Sequence, residues 1–253
     1  MTFFPAFTAI AVLLLLAGSS ASAHDLWITT VADGDQWRAV LNFGHPTERE
    51  LPQLDRILDI RLISSKGTTS LRRGKFDEQQ MSGAPVLVSP RFAAPPADSL
   101  IATQYDNGYW VKTPDGSRNV STRLFPQAEA SLWAVKFSKT LLGPGAYATV
   151  VGHELELMPV EDPFGLRQGQ SMHVRVQFHG APVANTDVEL GDGLSPIKDE
   201  DTPRYRTDAE GVAQIPVDRR GPYLLTVDYR IPGRDPALAA IDYYNAALAF
   251  VLQ

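Results

Sequence analysis

The chain offers five histidines and no cysteine, so any transition-metal chemistry must run through imidazole, amine and carboxylate donors. His24 follows Ala21-Ser22-Ala23, a small-x-small cleavage site. Cleavage there would leave His24 first, with its α-amine free. The amine and ring Nδ1 of one N-terminal histidine can close a chelate on a single cation. An α-amine has a reference pKa of about 7.7–8.0, so a divalent metal can displace its proton near neutral pH. Two nitrogen donors favour late divalent metals such as Ni²⁺ or Cu²⁺ over Mg²⁺ or Ca²⁺.

Such a chelate needs further ligands. His153 shares parity with Val151, Leu155 and Leu157, which predicts that it faces the apolar side of a strand. A buried histidine must be satisfied there by a hydrogen bond or a metal. His45 lies in Asn42-Phe-Gly-His-Pro46, just past a strand end, where sites usually sit. Gly44 would allow close backbone approach, and Pro46 would stiffen the turn. Taken singly, an ordinary turn histidine and a satisfied core histidine are the commoner roles for these two. The candidate metal set is His24, His45 and His153. His173 and His179 share parity with Arg175 and Gln177 and read as solvated.

Signals for catalysis are weak. The sequence has no Gly-x-Ser-x-Gly elbow, no His-Glu-x-x-His and no phosphate-cradling glycine loop. His153-Glu154-Leu155-Glu156 lacks the second histidine of a metalloprotease motif. Asp199-Glu200-Asp201 reads as a solvated loop rather than a calcium site, and Trp110 as a core aromatic rather than a ligand platform. No catalytic residue is assigned, and the expectation is a protein that is not an enzyme.

The elements that must position these histidines begin with residues 1–23, which read as a signal peptide. The apolar run Ala9–Ala17 is too short to span a bilayer comfortably as a helix, and polar sequence starts at His24. The predicted location is the periplasm. Residues 24–253 suffice for one large or two small domains. A net charge of -6, without a run of Lys or Arg, argues against nucleic acid and anionic membranes as partners. Without disulfides, stability must come from packed apolar surface.

Period-2 alternation dominates. Trp37, Ala39, Leu41 and Phe43 alternate with Arg38, Val40 and Asn42, and comparable runs start at Trp133, Tyr147, Met172 and Tyr223. Ala246–Leu252 is apolar on both faces, as in a central strand. Leu51–Ile63 is ambiguous, and Asp77–Pro96 reads as a long loop. The turn-rich segment Pro159–Gly169 is the expected joint between an N-terminal β domain, 24–160, and an immunoglobulin-like or transthyretin-like β-sandwich, 168–253. Thr207-Asp208-Ala209-Glu210-Gly211 predicts a tight turn with positive φ at Gly211. The fold class is all-β, with two β-sandwich domains.

Several motifs together carry a family resemblance. They are His24-Asp-Leu-Trp27 after the signal segment, Tyr105-Asp-Asn-Gly-Tyr-Trp-Val-Lys-Thr-Pro-Asp-Gly116, Val151-Gly-His-Glu-Leu-Glu-Leu-Met-Pro159 and the closing Asp242–Phe250 strand. The chain resembles the bacterial periplasmic domain-of-unknown-function family of nickel uptake transporter proteins and periplasmic components of cobalt/nickel transport. That resemblance implies a periplasmic protein that binds a divalent transition metal, Ni, Co or Cu, and assists a membrane metal-uptake transporter. It carries His24, His45 and His153 onto the family's first mature residue, its Gly-His motif and its Val-Gly-His motif. The alternatives are a metal-free β-sandwich binding or adhesion module and, third, a copper enzyme using an N-terminal histidine.

Overall fold

The computed structural model describes residues 24–253 except Pro46 and the side chain of Asp199. The predicted signal peptide, 1–23, lies outside the described residues. The protein is an all-β sandwich in which strands are joined by turns and short 3-10 segments.

The strands form three sheets. The outer sheet holds β1 (Asp25–Asp33), β2 (Gln36–His45), β3 (Glu48–Glu50), β6 (Asp77–Met81), β7 (Ala84–Val88) and β8 (Phe92–Ala93). The central sheet holds β4 (Ile57–Ser64), β5 (Gly67–Ser70), β9 (Leu100–Thr113), β10 (Gly116–Arg118), β11 (Ala130–Leu141), β15 (Asp187–Gly191), β16 (Arg204–Arg206), β18 (Gly221–Pro232) and β19 (Ile241–Leu252). The small sheet holds β12 (Leu155–Pro159), β13 (Ser171–Phe178), β14 (Ala181–Pro182) and β17 (Val212–Pro216).

The central sheet is the middle layer, and strand alternation divides its side chains. Ile57, Ile60, Ile101 and Tyr105 pack under Leu26, Ile28, Leu41 and Phe43 of the outer sheet. Residues of opposite parity, such as Ala102, Val135, Phe137 and Leu248, pack against Leu155, Leu157, Val174 and Ile215 of the small sheet. A strand with both faces covered must be largely apolar. β19 is buried from Asp242 to Phe250, and its two polar exceptions, Asp242 and Asn245, are hydrogen-bonded.

The predicted joint at 159–169 separates β12 from β13, yet both sheets run across it. β11 and β19 pair in parallel, Leu132 beside Ile241 through Thr140 beside Ala249. β12 pairs with β13 across the same joint. The segments 24–160 and 168–253 therefore share a core. Asp77–Pro96, expected as a loop, holds the β6–β7 hairpin and β8. The hairpin closes on Ser82-Gly83, both at positive φ, a two-residue turn that the Ser-Gly pair specifies. Leu51–Ile63 resolves into a 3-10 turn at Leu54–Arg56 and β4. Gly211 has the expected positive φ, +74°.

Candidate metal centre

The β1–β2 hairpin brings two of the three candidate histidines together. Its turn is Gly34-Asp35, with Asp33 opposite Gln36 and Gly34 supplying the left-handed φ of such a turn. That turn sets the register through to Asp25 opposite Gly44. One step further along lie His24 and His45, cross-strand neighbours whose ring centroids are 5.3 Å apart and nearly perpendicular. The signal was present in the sequence: a two-residue turn at Gly34-Asp35 dictates this pairing, and strand alternation alone does not reveal it.

A second turn brings in a carboxylate. Gly44 has φ +112°, and a Cβ there would stand 2.4 Å from the carbonyl oxygen of Glu48. The glycine therefore lets β3 fold back on β2, with Glu48 opposite His45 and Glu50 opposite Phe43. Glu50 Oε2 comes within 3.7 Å of His24 Nδ1. The His24 ring also meets the Phe43 ring edge-on at 5.3 Å. Burial, opposed by Glu50 and reinforced by His45, holds the His24 imidazole below its ordinary pKa. Neutral imidazole is the form that ligates a metal.

Behind the pair lies a buried polar network that reading by motif missed. Asn245 Nδ2 donates to Asp25 Oδ1 at 2.8 Å and to Asp228 Oδ1 at 3.0 Å. Tyr243 donates its hydroxyl to the same Asp228 oxygen. Lys136 is fully buried, and its Nζ has no hydrogen-bond partner among the described residues. It sits 5.8 Å from the Phe43 ring centre and 5.5 Å from that of Tyr243, in the range of cation–π attraction. Burial, followed by repulsion from Asp228, pushes the Asp25 carboxyl up; burial pulls Lys136 down. The Asp25–Asn245 bond ties the start of β1 to β19 in the middle layer. Lys136 and Asn245 were visible as polar residues inside apolar strands, a pattern that signals a buried polar contact.

His153 stands apart from this pair. It was expected on a strand; instead it lies in the turn before β12, which begins only at Leu155. Gly152 is at positive φ, and the Glu156 carboxylate accepts from the backbone N–H groups of Val151 and Gly152 at 2.9 and 3.0 Å. Lys139 donates to Glu156 Oε1 at 2.7 Å in a buried ion pair. The His153 ring packs 4.9 Å from that of Phe137, on the small-sheet face of the central sheet. Phe43 and Lys136 meet on the outer-sheet face. The central sheet thus separates His153 from His24 and His45. His173 and His179 are exposed beside Glu161 and Glu154.

Among the described residues no group of three or more His, Cys, Asp or Glu side chains is placed to hold a metal ion. Two histidines face each other, and a freed His24 amine would add a third nitrogen without a third residue. A cavity of about 40 Å³ opens beside Asp25 and His45, with Glu189, Asp192 and Thr226 also on its wall. It has room for water, which needs about 10–15 Å³ per molecule by this measure.

The model of one family, described as a domain of unknown function (DUF4198), matches residues 21–231. The chain belongs to this family. A relative from Haemophilus influenzae, an uncharacterised protein, is 29% identical over 210 residues, covering 82% of this chain and 81% of its own. Among solved structures, the native alpha-2-macroglobulin of Escherichia coli spanning domains MG0-NIE-MG1 aligns with 92% of this chain and 73% of its own at 12% identity and a TM-score of 0.23. Titin A168169 aligns with 90% of this chain and 96% of its own at 12% identity and a TM-score of 0.18.

Proposed function

We propose that this DUF4198 protein binds one late divalent transition metal ion at a processed N-terminus. The ligands would be the α-amine and Nδ1 of His24 and the ring of His45. The observation that carries the reading is the cross-strand meeting of these two rings, set by the Gly34-Asp35 turn and held by the Asp25–Asn245 bond. An all-nitrogen set with carboxylates nearby suits Ni²⁺, Co²⁺ or Cu²⁺. Glu50 would accept a hydrogen bond or lend negative charge beside the cation. The resemblance to nickel and cobalt uptake proteins makes delivery to a membrane uptake system in the periplasm the role that fits the site.

Titrating the mature protein with Ni²⁺ and Cu²⁺ by calorimetry tests the ligand set. Loss of an outer-shell partner costs metal sites about 10–100-fold in affinity, so His45→Ala should cost at least about 100-fold. His153→Ala should leave affinity within about threefold, a shift of less than 1 kcal/mol. Equal losses in the two variants would contradict the assignment.

A further inference from the structure

The central motif Tyr105–Gly116 takes no part in the metal centre, and its geometry is unusual. The β9–β11 register shifts between Ala134 and Val135, so that Asn107 bulges out of the ladder and Gly108 takes φ +80°. Bulges re-aim side chains and are over-represented beside functional sites. This one is held from several sides. Arg56 donates to the Asn107 carbonyl at 2.9 Å and to its side-chain oxygen at 2.8 Å, and also reaches Asn119. Trp110 Nε1 donates to the Asn107 carbonyl, and Trp133 Nε1 to Asp106 Oδ1, both at 2.9 Å. Arg234 lies 4.6 Å over the Trp133 ring, clamped by Asp242 at 2.8 Å.

These contacts leave Tyr109 over. Among the described residues its ring has no aromatic or cationic partner and its hydroxyl has no hydrogen-bond partner. It lies between two open cavities, about 360 Å³ on the Arg56 side and about 230 Å³ on the Arg234 side, and both are lined by Asp106 and Tyr109. Binding sites for small organic ligands span about 300–1,000 Å³, and the adjoining pair falls in that range. Arg234 is paired with Asp242 and Glu154, and the terminal nitrogens of Arg56 are engaged by amide oxygens of Asn107 and Asn119, which leaves neither guanidinium free to clamp an anion. What the cleft presents is a pre-organised set of planar polar groups that both donate and accept, around a free aromatic ring. Vicinal hydroxyls match such planar groups, and the C–H face of a sugar ring matches the aromatic face.

We propose that the cleft on either side of Tyr109 binds a neutral oligosaccharide, with Tyr109 as the platform at the junction of two subsites. No residue of this cleft belongs to the His24–His45 pair, and the two sites should act independently.

The mature protein is screened on an array of bacterial and plant oligosaccharides, and the best di- or trisaccharide is titrated calorimetrically. Tyr109→Ala should weaken binding about tenfold, as expected for one aromatic contact, while Tyr109→Trp should retain it and His45→Ala should not change it. Thermal unfolding of each variant checks that it is folded; should Tyr109→Ala fail, Tyr109→Ser carries the same expectation. No array signal above that of the Tyr109 variant would overturn the proposal. So would an affinity unchanged by its loss, or binding of putrescine in preference to every sugar, which would mark a cation site.

Discussion

At the scale of the residue, His153 shows how a histidine can be explained without a metal. Burial against Phe137 lowers its pKa from 6.5 to about 4, with Glu156 pulling the other way. The unfolded chain therefore binds a proton between pH 6.5 and 4 that the folded chain resists. Stability that His153 allows at neutral pH is lost as pH falls through this window, and no further loss comes from it below pH 4. The full shift would correspond to about 3 kcal/mol at about 1.4 kcal/mol per unit. The residue is only half-buried, and solvent screening should reduce this to about 1–2 kcal/mol. Replacement with Phe keeps the ring contact and removes the titration. Urea unfolding of His153→Phe at pH 7 and pH 4.5 should show a flatter pH dependence than the parent, by that amount. Parallel curves would place the lowered pKa elsewhere. His24 meets its neighbours differently, with a second histidine and a carboxylate within reach of its ring.

At the scale of the element, two turns make the candidate centre, and each depends on a glycine at positive φ. Gly44 is the more constrained, since a side chain there would collide with backbone rather than with a flexible neighbour. Gly44→Ala should destabilise the protein by about 1–3 kcal/mol through left-handed strain and the forced retreat of β3. It should also weaken metal binding, because β3 carries Glu50 and His45 ends β2. Gly67→Ala, at a positive-φ turn in open space, is the control and should cost stability without touching the metal. A Gly44→Ala protein with undiminished metal affinity would remove β3 from the site. Much of this level was legible in the sequence. The alternating runs at Trp37, Trp133, Met172 and Tyr223 are β2, β11, β13 and β18. His153 was misplaced for a physical reason: Val151-Gly-His-Glu-Leu155 alternates like a strand, but Gly152 and the Glu156 carboxylate divert its backbone into a turn. Alternation reports which face a side chain takes; it is silent about which strand lies next door.

At the scale of the whole molecule, that silence matters most. The β11–β19 pairing joins residues more than a hundred positions apart, and no local pattern encodes it. The apolar run of β19 announced a central strand, yet its neighbours emerge only when the three layers are stacked. The predicted units 24–160 and 168–253 share the central sheet and its large core. Residues 24–167 expressed alone would expose the β11 edge and lose most of the large core, and should fail to give a cooperative thermal transition, while 24–253 should unfold in a single one. A folded, cooperative 24–167 fragment would show that the shared sheet is dispensable. The same continuity anchors the candidate centre, since Asp25, at the start of the described chain, is held by Asn245, in the first half of β19.

In the proposed site, the α-amine that cleavage after Ala23 would free on His24 is itself a ligand. The direct measurement compares Ni²⁺ and Cu²⁺ affinity, by calorimetry with a competing chelator, for protein beginning at His24 and protein carrying one extra glycine before it. Both share every side chain; they differ in whether the His24 nitrogen is an amine or an amide. The extended protein is expected to bind at least about 100-fold more weakly, with its pH dependence near 8 abolished. Equal affinity in the two proteins would contradict a ligand role for the amine.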